Sequence, residues 1–377
     1  PILVDAGLVE GEDYEFLPVG DGGPATAAFE RGEIAAYAAA VPDMAIIEAR
    51  GLDLLELTPP EYKTVFGNGF ATTQEMIDNN PEVVQGFINA LVRGSAFVAA
   101  NPDQGEADCA QMNPEEATDP ALARALLDLS IEVTKTLFGK PYGYYDGAEW
   151  ENWNQSLVAD GTLDAPLDDV ESAWTNDFVD NAYNAGYGGD TAATTTTTAA
   201  AAPMEMTDVI ALAPNPSAVI WYGLCSAIYQ GFAEEEGLNI SFEAVDGSGA
   251  VLQAMAAGQA EFGIPGPGPL LAARAEGEDF VAIYNQFAQA LFGLVVPADS
   301  EYKTVADLKT GETIVIGVGT AEGSEVTFVR PILVDAGLVE GEDYEFLPVG
   351  DGGPATAAFE RGEIAAYAAA VPDMAII

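Results

Sequence analysis

Short apolar runs alternate with amphipathic stretches along most of the chain, the rhythm of strands and helices taking turns. Residues 208–214 read as a short strand ending at a proline, and Asn215, Pro216 and Ser217 as a helix start. Ile220, Leu224, Ile228 and Phe232 fall at steps of four, beside a second stripe of Trp221, Cys225 and Tyr229. That spacing predicts one helix with a broad apolar face, running to a stop at Gly237. Residues 239–245 alternate as a strand. Asp246 to Gly249 turns into a helix over 250–257, closed by Gly258. A short strand at 261–264, a Pro/Gly turn and a helix at 270–275 follow, then strands at 280–284 and 292–297.

The rhythm repeats further on. Residues 313–318 predict a strand, 319–324 a loop into a helix through Ala336, and 344–349 another strand. A Gly-rich turn at 350–354 leads into a helix ending at Gly362, then a strand at 364–371. LQAMAAGQAEFGI at 252–264 echoes TAAFERGEIAAYA at 356–368: each is a helix closed by Gly and followed by a small-residue strand. Residues 52–57 read as apolar strand, and 81–100 and 120–137 as long amphipathic helices. Two crossings, near 296–298 and near 58–60, join the halves. The expected fold is α/β: a two-lobed clamshell, each lobe a mainly parallel sheet flanked by helices, with two hinge crossings.

One feature breaks the rhythm. Residues 1–47 reappear unchanged as 331–377, at an offset of 330. Old duplications drift, so perfect identity implies a recent tandem array, a permutant with overlapping ends or a chain traced across a junction. The unit is then 330 residues long, and the two copies compete for a single place in the fold. Residues 181–202 are Gly-rich, then Thr/Ala-rich, with Asp190 as their single charge, which marks a linker. The implied organisation is 1–57 as a copy of the second lobe and 58–185 as the return to the first lobe with its C-terminal helices. Residues 186–206 are the linker, 207–298 the first lobe and 299–377 the second.

Composition narrows the function. The chain of 377 residues carries 61 acidic and 12 basic residues, a formal net charge of -49. With 49% hydrophobic residues it has material for a core, so the acid lies on a surface. Such a surface repels nucleic-acid phosphates, and no nucleic-acid partner is expected. Acid excess with little lysine suits concentrated salt, so a halophilic origin is expected. There is no histidine, which removes the Ser-His-Asp triad, the Cys-His dyad and the usual zinc sites. Carboxylate pairs are expected by chance at this acidity. No catalytic motif stands out, and no enzyme activity, cofactor or metal is expected. The two cysteines, Cys109 and Cys225, read as small buried apolar residues, with one disulfide as the alternative. No apolar run approaches the roughly 18 residues of a membrane span.

The residues resemble a known family: the type II extracytoplasmic substrate-binding proteins of ABC importers, in the branch serving thiamine precursors, sulfonates and nitrate. The matching pieces are Pro214-Asn215-Pro216, EEEGLNISFE at 234–243, VLQAMAAGQAEFGI at 251–264 and YKTVADLKTGETIVIGVGT at 302–320. NNPEVVQGFINALVRGSAFVAANPD at 79–103 and WTNDFV at 174–179 complete the set. They cover nearly all of the unit, in permuted order. The resemblance implies a periplasmic-binding-protein-like receptor outside the cytoplasm, tethered here through the Thr/Ala linker, that closes on a small-molecule solute and delivers it to an ABC permease. The chain departs from the family in carrying no lipid-acceptor Cys before that linker. A related thiamine-pyrimidine synthase uses histidine and a cysteine-rich motif, which this sequence lacks.

In such sheets ligands bind beyond the carboxyl ends of strands, where glycine-rich loops present N–H groups at helix starts. The candidate ligand-binding residues are Asn215, Ser248, Gly266, Asn285, Gly319, Thr320, Asp351 and Gly352. Trp221, Tyr222 and Tyr367 (Tyr37 in the other copy) are aromatic candidates for holding a flat ring; Trp221 reads equally well as core. Asp373 is a partner for an amine or ring N–H, or simply a helix N-terminal acid. None of the basic residues falls in a candidate loop. The expected solute is therefore neutral or cationic, of heteroaromatic or amine type, with a sulfonate or nitrate as the alternative ligand. A different reading is a surface filament or array, in which tandem units self-associate by swapping the duplicated segment.

Overall fold

A computed structural model describes residues 8–9, 36–39, 54–59, 65–135, 140–159, 161–188, 206–289, 292–298, 300–311, 313–318, 324–348 and 364–370. In chain order the strands are β1 (Leu8–Val9), β2 (Ala36–Ala39), β3 (Leu54–Glu56) and β4 (Phe70–Thr73). Helices α1 (Gln74–Asn79), α2 (Pro81–Ala100), α3 (Pro102–Met112), α4 (Pro120–Val133), α5 (Gly147–Ala159) and α6 (Asp177–Asn184) follow. Next come β5 (Thr207–Ala213), α7 (Tyr222–Tyr229), α8 (Phe232–Glu235), β6 (Leu238–Ala244), α9 (Gly247–Ala256), β7 (Phe262–Gly263), α10 (Pro267–Ala275) and β8 (Phe280–Tyr284). The chain then runs through β9 (Phe292–Pro297), β10 (Ile314–Val318), α11 (Ser324–Asp335), β11 (Val339–Glu340), β12 (Tyr344–Pro348) and β13 (Ala366–Ala370).

These elements build two sheets. The five-stranded sheet has the order β6-β5-β7-β4-β8. Strand β5 runs parallel to β6 along its whole length and parallel to β7, while β4 is antiparallel to β7 and β8. The eight-stranded sheet has the order β1-β11-β12-β10-β13-β2-β9-β3 and is parallel except for β9. So each sheet is mainly parallel with one reversed strand, and each reversed strand is the first one entered after the chain changes sheet. Strand β9, read from sequence as part of the first lobe, pairs instead with β13 and β3 in the larger sheet. The reason is its register: Leu294 faces Ala368 and Val296 faces Leu55, burying Leu294, Val295 and Val296.

The duplicated sequence enters the larger sheet twice. Gly317 of β10 takes Tyr367 of β13 and Tyr37 of β2 as partners alike. Gly293 of β9 likewise takes both Ala369 and Ala39. At the far edge β1 pairs with β11, Leu8 opposite Val339.

The single helix expected after β5 is divided. A 3-10 turn at Val219–Trp221 leads into α7, and the chain then breaks at Gly231 before α8. Gly231 has φ +78, a left-handed conformation that only glycine adopts without strain. Ile220 and Leu224 are buried as the stripe predicts, whereas Tyr229 is exposed. Helix α2 also corrects an expectation. By length and composition it could cross a bilayer, but 67% of its apolar window is buried in the protein, so it serves as a core helix. Cys109 of α3 and Cys225 of α7 form a disulfide, in place of the two separate buried thiols that composition favoured. Their Cα atoms are 5.0 Å apart, inside the range a disulfide requires.

Candidate functional site

The loops after β6, β7 and β8 emerge at one end of the five-stranded sheet, where β4 begins. Ser248 sits in the first turn of α9, where its side chain is buried. Its Oγ accepts the Gly266 N–H at 3.1 Å and lies 3.0 Å from Ser324 Oγ. Ser324 opens α11, the helix that follows β10 of the other sheet. This hydroxyl pair therefore ties the smaller sheet's loops to the larger sheet's first helix. Gly266, the N-cap of α10, makes the approach feasible. A Cβ there would stand 1.9 Å from Ser324 Oγ and 2.7 Å from Ser324 Cβ. A Cβ on Gly268 would meet Thr327 Oγ1 at 2.7 Å. Helices α10 and α11 are in contact along this seam, and at Gly266 and Gly268 only hydrogens fit between them.

The connections between the sheets run beside the seam. Gly67 donates to the Phe287 carbonyl at 2.8 Å, and Phe287 donates to the Asn68 carbonyl at 3.2 Å. Asn68 Nδ2 donates to the Ile264 carbonyl at 3.1 Å, Asn285 Nδ2 to that of Tyr144 at 3.0 Å and Gln286 Nε2 to that of Ile220 at 3.2 Å. Each amide thus spends its N–H on a backbone carbonyl. Asn68 Oδ1, Asn285 Oδ1 and Gln286 Oε1 are buried and find no hydrogen-bond partner among the described residues. A buried acceptor left unmatched costs about 1–3 kcal/mol, so each of the three calls for a donor, water or solute, beyond the described protein groups.

Aromatic rings surround these amides. Phe66 packs against Tyr145 at 5.3 Å and Trp150 at 4.9 Å, and Trp221 against Phe287 at 5.4 Å. Trp150 and Trp153 lie on α5, which packs against both α10 and α11. Tyr145 also stacks edge-on toward Trp174. The indole N–H groups of Trp150, Trp153, Trp174 and Trp221 are buried without a partner among the described residues. Buried N–H donors, amide oxygens and aromatic faces are the group types that hold a flat polar ring.

The helix start at Asn215 is occupied differently. Glu116 places its carboxylate there, accepting from Ser217 Oγ at 2.6 Å, from the Ala218 N–H at 3.0 Å and from the Val219 N–H at 3.2 Å. Asn215 Oδ1 accepts the Ser217 N–H at 3.1 Å. The protein's own acid thus fills the anion-holding position at this loop. Burial pushes the Glu116 carboxyl above its ordinary value, against the pull of these hydrogen bonds. Glu116 also lines a cavity of about 200 Å³ with Asp103, Glu106, Pro120 and Val219, which shares no lining residue with the Ser248 seam.

Of the candidates from sequence, Ser248 and Gly266 meet at the seam, with Trp221 and Asn285 flanking it. Tyr222 is buried in α7 and Tyr367 in β13, and burial raises the Tyr222 hydroxyl's pKa well above its usual value. Gly319, Thr320, Asp351, Gly352 and Asp373 lie outside the described residues. Sequence reading missed Asn68, Phe66, Tyr145, Trp150, Trp153 and Trp174. The run Phe66-Gly67-Asn68-Gly69-Phe70, an amide between glycines and aromatics, was the available signal for Asn68.

Residues 2–105 and 220–376 match the NMT1/THI5-like family model. The chain belongs to the NMT1/THI5-like family. A curated relative is the riboflavin-binding protein RibY of Chloroflexus aurantiacus, 33% identical over 136 residues, or 35% of this chain. The match spans 38% of that relative's length. No solved structure matches. Membership of the NMT1/THI5-like family and the riboflavin-binding relative are consistent with a substrate-binding protein of ABC-importer type.

Proposed function

We propose that this protein is an extracytoplasmic solute receptor of an ABC importer, whose two lobes close on a neutral heteroaromatic solute of pyrimidine or flavin type. The observation that carries the reading is the set of unmatched amide oxygens, Asn68, Asn285 and Gln286, buried among aromatic rings beside a seam joining both sheets. Amide oxygens accept from ring N–H groups, indole N–H groups donate to ring carbonyls and aromatic faces sandwich the plane. A pyrimidinedione edge offers both donor and acceptor. The riboflavin-binding relative supports this choice. An anionic solute fits less well: none of the described residues named at the seam is Lys or Arg, and Glu116 fills the helix start after Asn215 where an anion would otherwise be gripped.

Calorimetry in high salt with riboflavin, an aminopyrimidine and a simple alkyl sulfonate tests the reading. Saturable binding of a ring compound with none of the sulfonate is expected. Binding of the sulfonate alone overturns the ligand class. Saturable binding of none of the three overturns the proposal.

A further inference from the structure

The hydrogen bonds of the seam leave one donor and one acceptor unused side by side. Ser248, Ser324 and Asn68 are all buried, none more than 4% exposed. The two hydroxyls carry two protons between them. Ser248 Oγ accepts the Gly266 N–H, and one proton lies in the 3.0 Å bond joining the two hydroxyl oxygens. The other proton meets no acceptor among the described residues. With Ser248 donating, that proton belongs to Ser324. Asn68 is the converse case. Its Nδ2 donates to the Ile264 carbonyl at 3.1 Å, which assigns the amide's orientation and leaves Oδ1 as the unmatched acceptor. Ser324 Oγ and Asn68 Oδ1 are close: they stand 1.9 and 3.5 Å from one point, the place a Cβ on Gly266 would occupy. They nevertheless make no hydrogen bond to each other.

We propose that Asn68 and Ser324 together read one edge of the solute's ring, an N–H beside a lone-pair acceptor, and so decide which rings bind. The inference rests on the ring-solute reading above and narrows it. The ring N–H donates to Asn68 Oδ1, while the neighbouring oxygen or nitrogen accepts from Ser324 Oγ. A lactam of pyrimidinedione type carries such an edge, and so does an aminopyrimidine. A ring whose nitrogen is alkylated does not, and it leaves Asn68 Oδ1 buried without a donor. A site built around a polar partner discriminates strongly against the analogue that lacks it. The two readers come from opposite sides of the seam: Asn68 precedes β4 of the smaller sheet, and Ser324 opens α11 after β10 of the larger one. A ring edge bonded to both spans the two sheets, so recognition and closure depend on the same pair of atoms.

Two pairs of compounds test it on the full chain in high salt: riboflavin with its analogue methylated at the imide nitrogen, and 4-aminopyrimidine with its dimethylamino analogue. Titration calorimetry should find that each parent ring that binds does so at least about 10-fold more tightly than its alkylated partner. In Asn68→Ala that penalty should shrink to about twofold or less, because the acceptor that discriminated is gone. Ser324→Ala should weaken the parent ring about 10-fold and keep the penalty. Equal binding of parent and alkylated rings to the wild type overturns the inference and leaves the ring-solute reading intact. An undiminished penalty in Asn68→Ala, or wild-type affinity in Ser324→Ala, does the same. Binding of neither parent ring overturns both. The wild-type comparison needs no variant, so it decides the matter even where Asn68→Ala fails to fold.

Discussion

Gly266 is where the proposed closure is most exposed to a single added carbon. Its backbone, φ -75 and ψ 159, is one that alanine adopts freely, so Gly266→Ala introduces no backbone strain. The whole effect is at the seam. The new Cβ would lie 1.9 Å from Ser324 Oγ and 2.7 Å from Ser324 Cβ, against an ordinary contact of at least 3.4 Å. Rotating the hydroxyl away relieves the first contact but breaks the bond to Ser248, worth about 0.5–1.5 kcal/mol. The second contact persists, and α11 must move off by several tenths of an ångström. Overpacking of this kind costs about 1–3 kcal/mol. The total is about 1.5–4.5 kcal/mol against the closed state, which lowers affinity for the ring solute roughly 10- to 2,000-fold. Both contacts are to the Ser324 side chain, so Gly266→Ala combined with Ser324→Gly restores the space and recovers much of the affinity. Titration calorimetry on the wild type, both single variants and the double variant yields the coupling directly. Wild-type affinity in Gly266→Ala, or no recovery in the double variant, would refute closure along this seam.

Other consequences follow from the same geometry. Asn68→Ala removes an unmatched acceptor and also the Nδ2 donor to the Ile264 carbonyl, so affinity for the ring solute should fall about 10-fold and stability by about 1–3 kcal/mol; a stability loss with unchanged affinity would make Asn68 purely structural. Replacing Cys109 and Cys225 by Ala opens a loop spanning 116 residues, which on loop-closure entropy costs about 4.8 kcal/mol, read as a lower urea midpoint in the variant and in the reduced wild type. The Glu116 carboxyl has a folded pKa above its unfolded one, so its protonation favours the fold; that contribution is complete below the unfolded pKa and disappears as pH rises through the folded pKa. Wild type minus Glu116→Gln in thermal midpoints should therefore shrink with rising pH across the carboxylate range, and a difference that grows instead would contradict the assignment. With 61 acids against 12 bases, added salt should raise the thermal midpoint, and a steady decrease from low to molar salt would count against self-repulsion as a major destabilising force.

Much of the fold was legible because local pattern and tertiary role agreed. Strand β8 and helix α2 match their expected bounds, since a run of apolar β-formers and a proline-started amphipathic stretch each have one comfortable conformation. The helix after β5 was harder, because its stripe of four-residue steps continues across Gly231 while the backbone does not. Strand β9 was assigned to the wrong sheet because pairing partners leave no trace in a five- or six-residue apolar run. At the site, Ser248 and Gly266 were visible as loop residues at strand ends. Asn68 and the α5 tryptophans were not. They reach the seam from distant parts of the chain, and a lone amide or aromatic reads as ordinary core until the elements around it are placed. Glu116 was equally hidden: among so many acids, no local feature distinguishes the one whose carboxylate meets two N–H groups.

The tryptophans have a practical consequence. The chain holds four; all four indole N–H groups are buried, Trp150 and Trp153 against Phe66, Trp174 against Tyr145 and Trp221 against Phe287. Its ultraviolet emission therefore originates at buried rings, two of which neighbour Phe66 and one Phe287, next to the amides of the proposed site. A flavin absorbs where indoles emit, so its capture should dim the protein's own light by energy transfer, with no dye attached. A non-absorbing pyrimidine should instead shift the colour of that emission. The receptor carries its own optical read-out, one that distinguishes the two kinds of ring in a single cuvette.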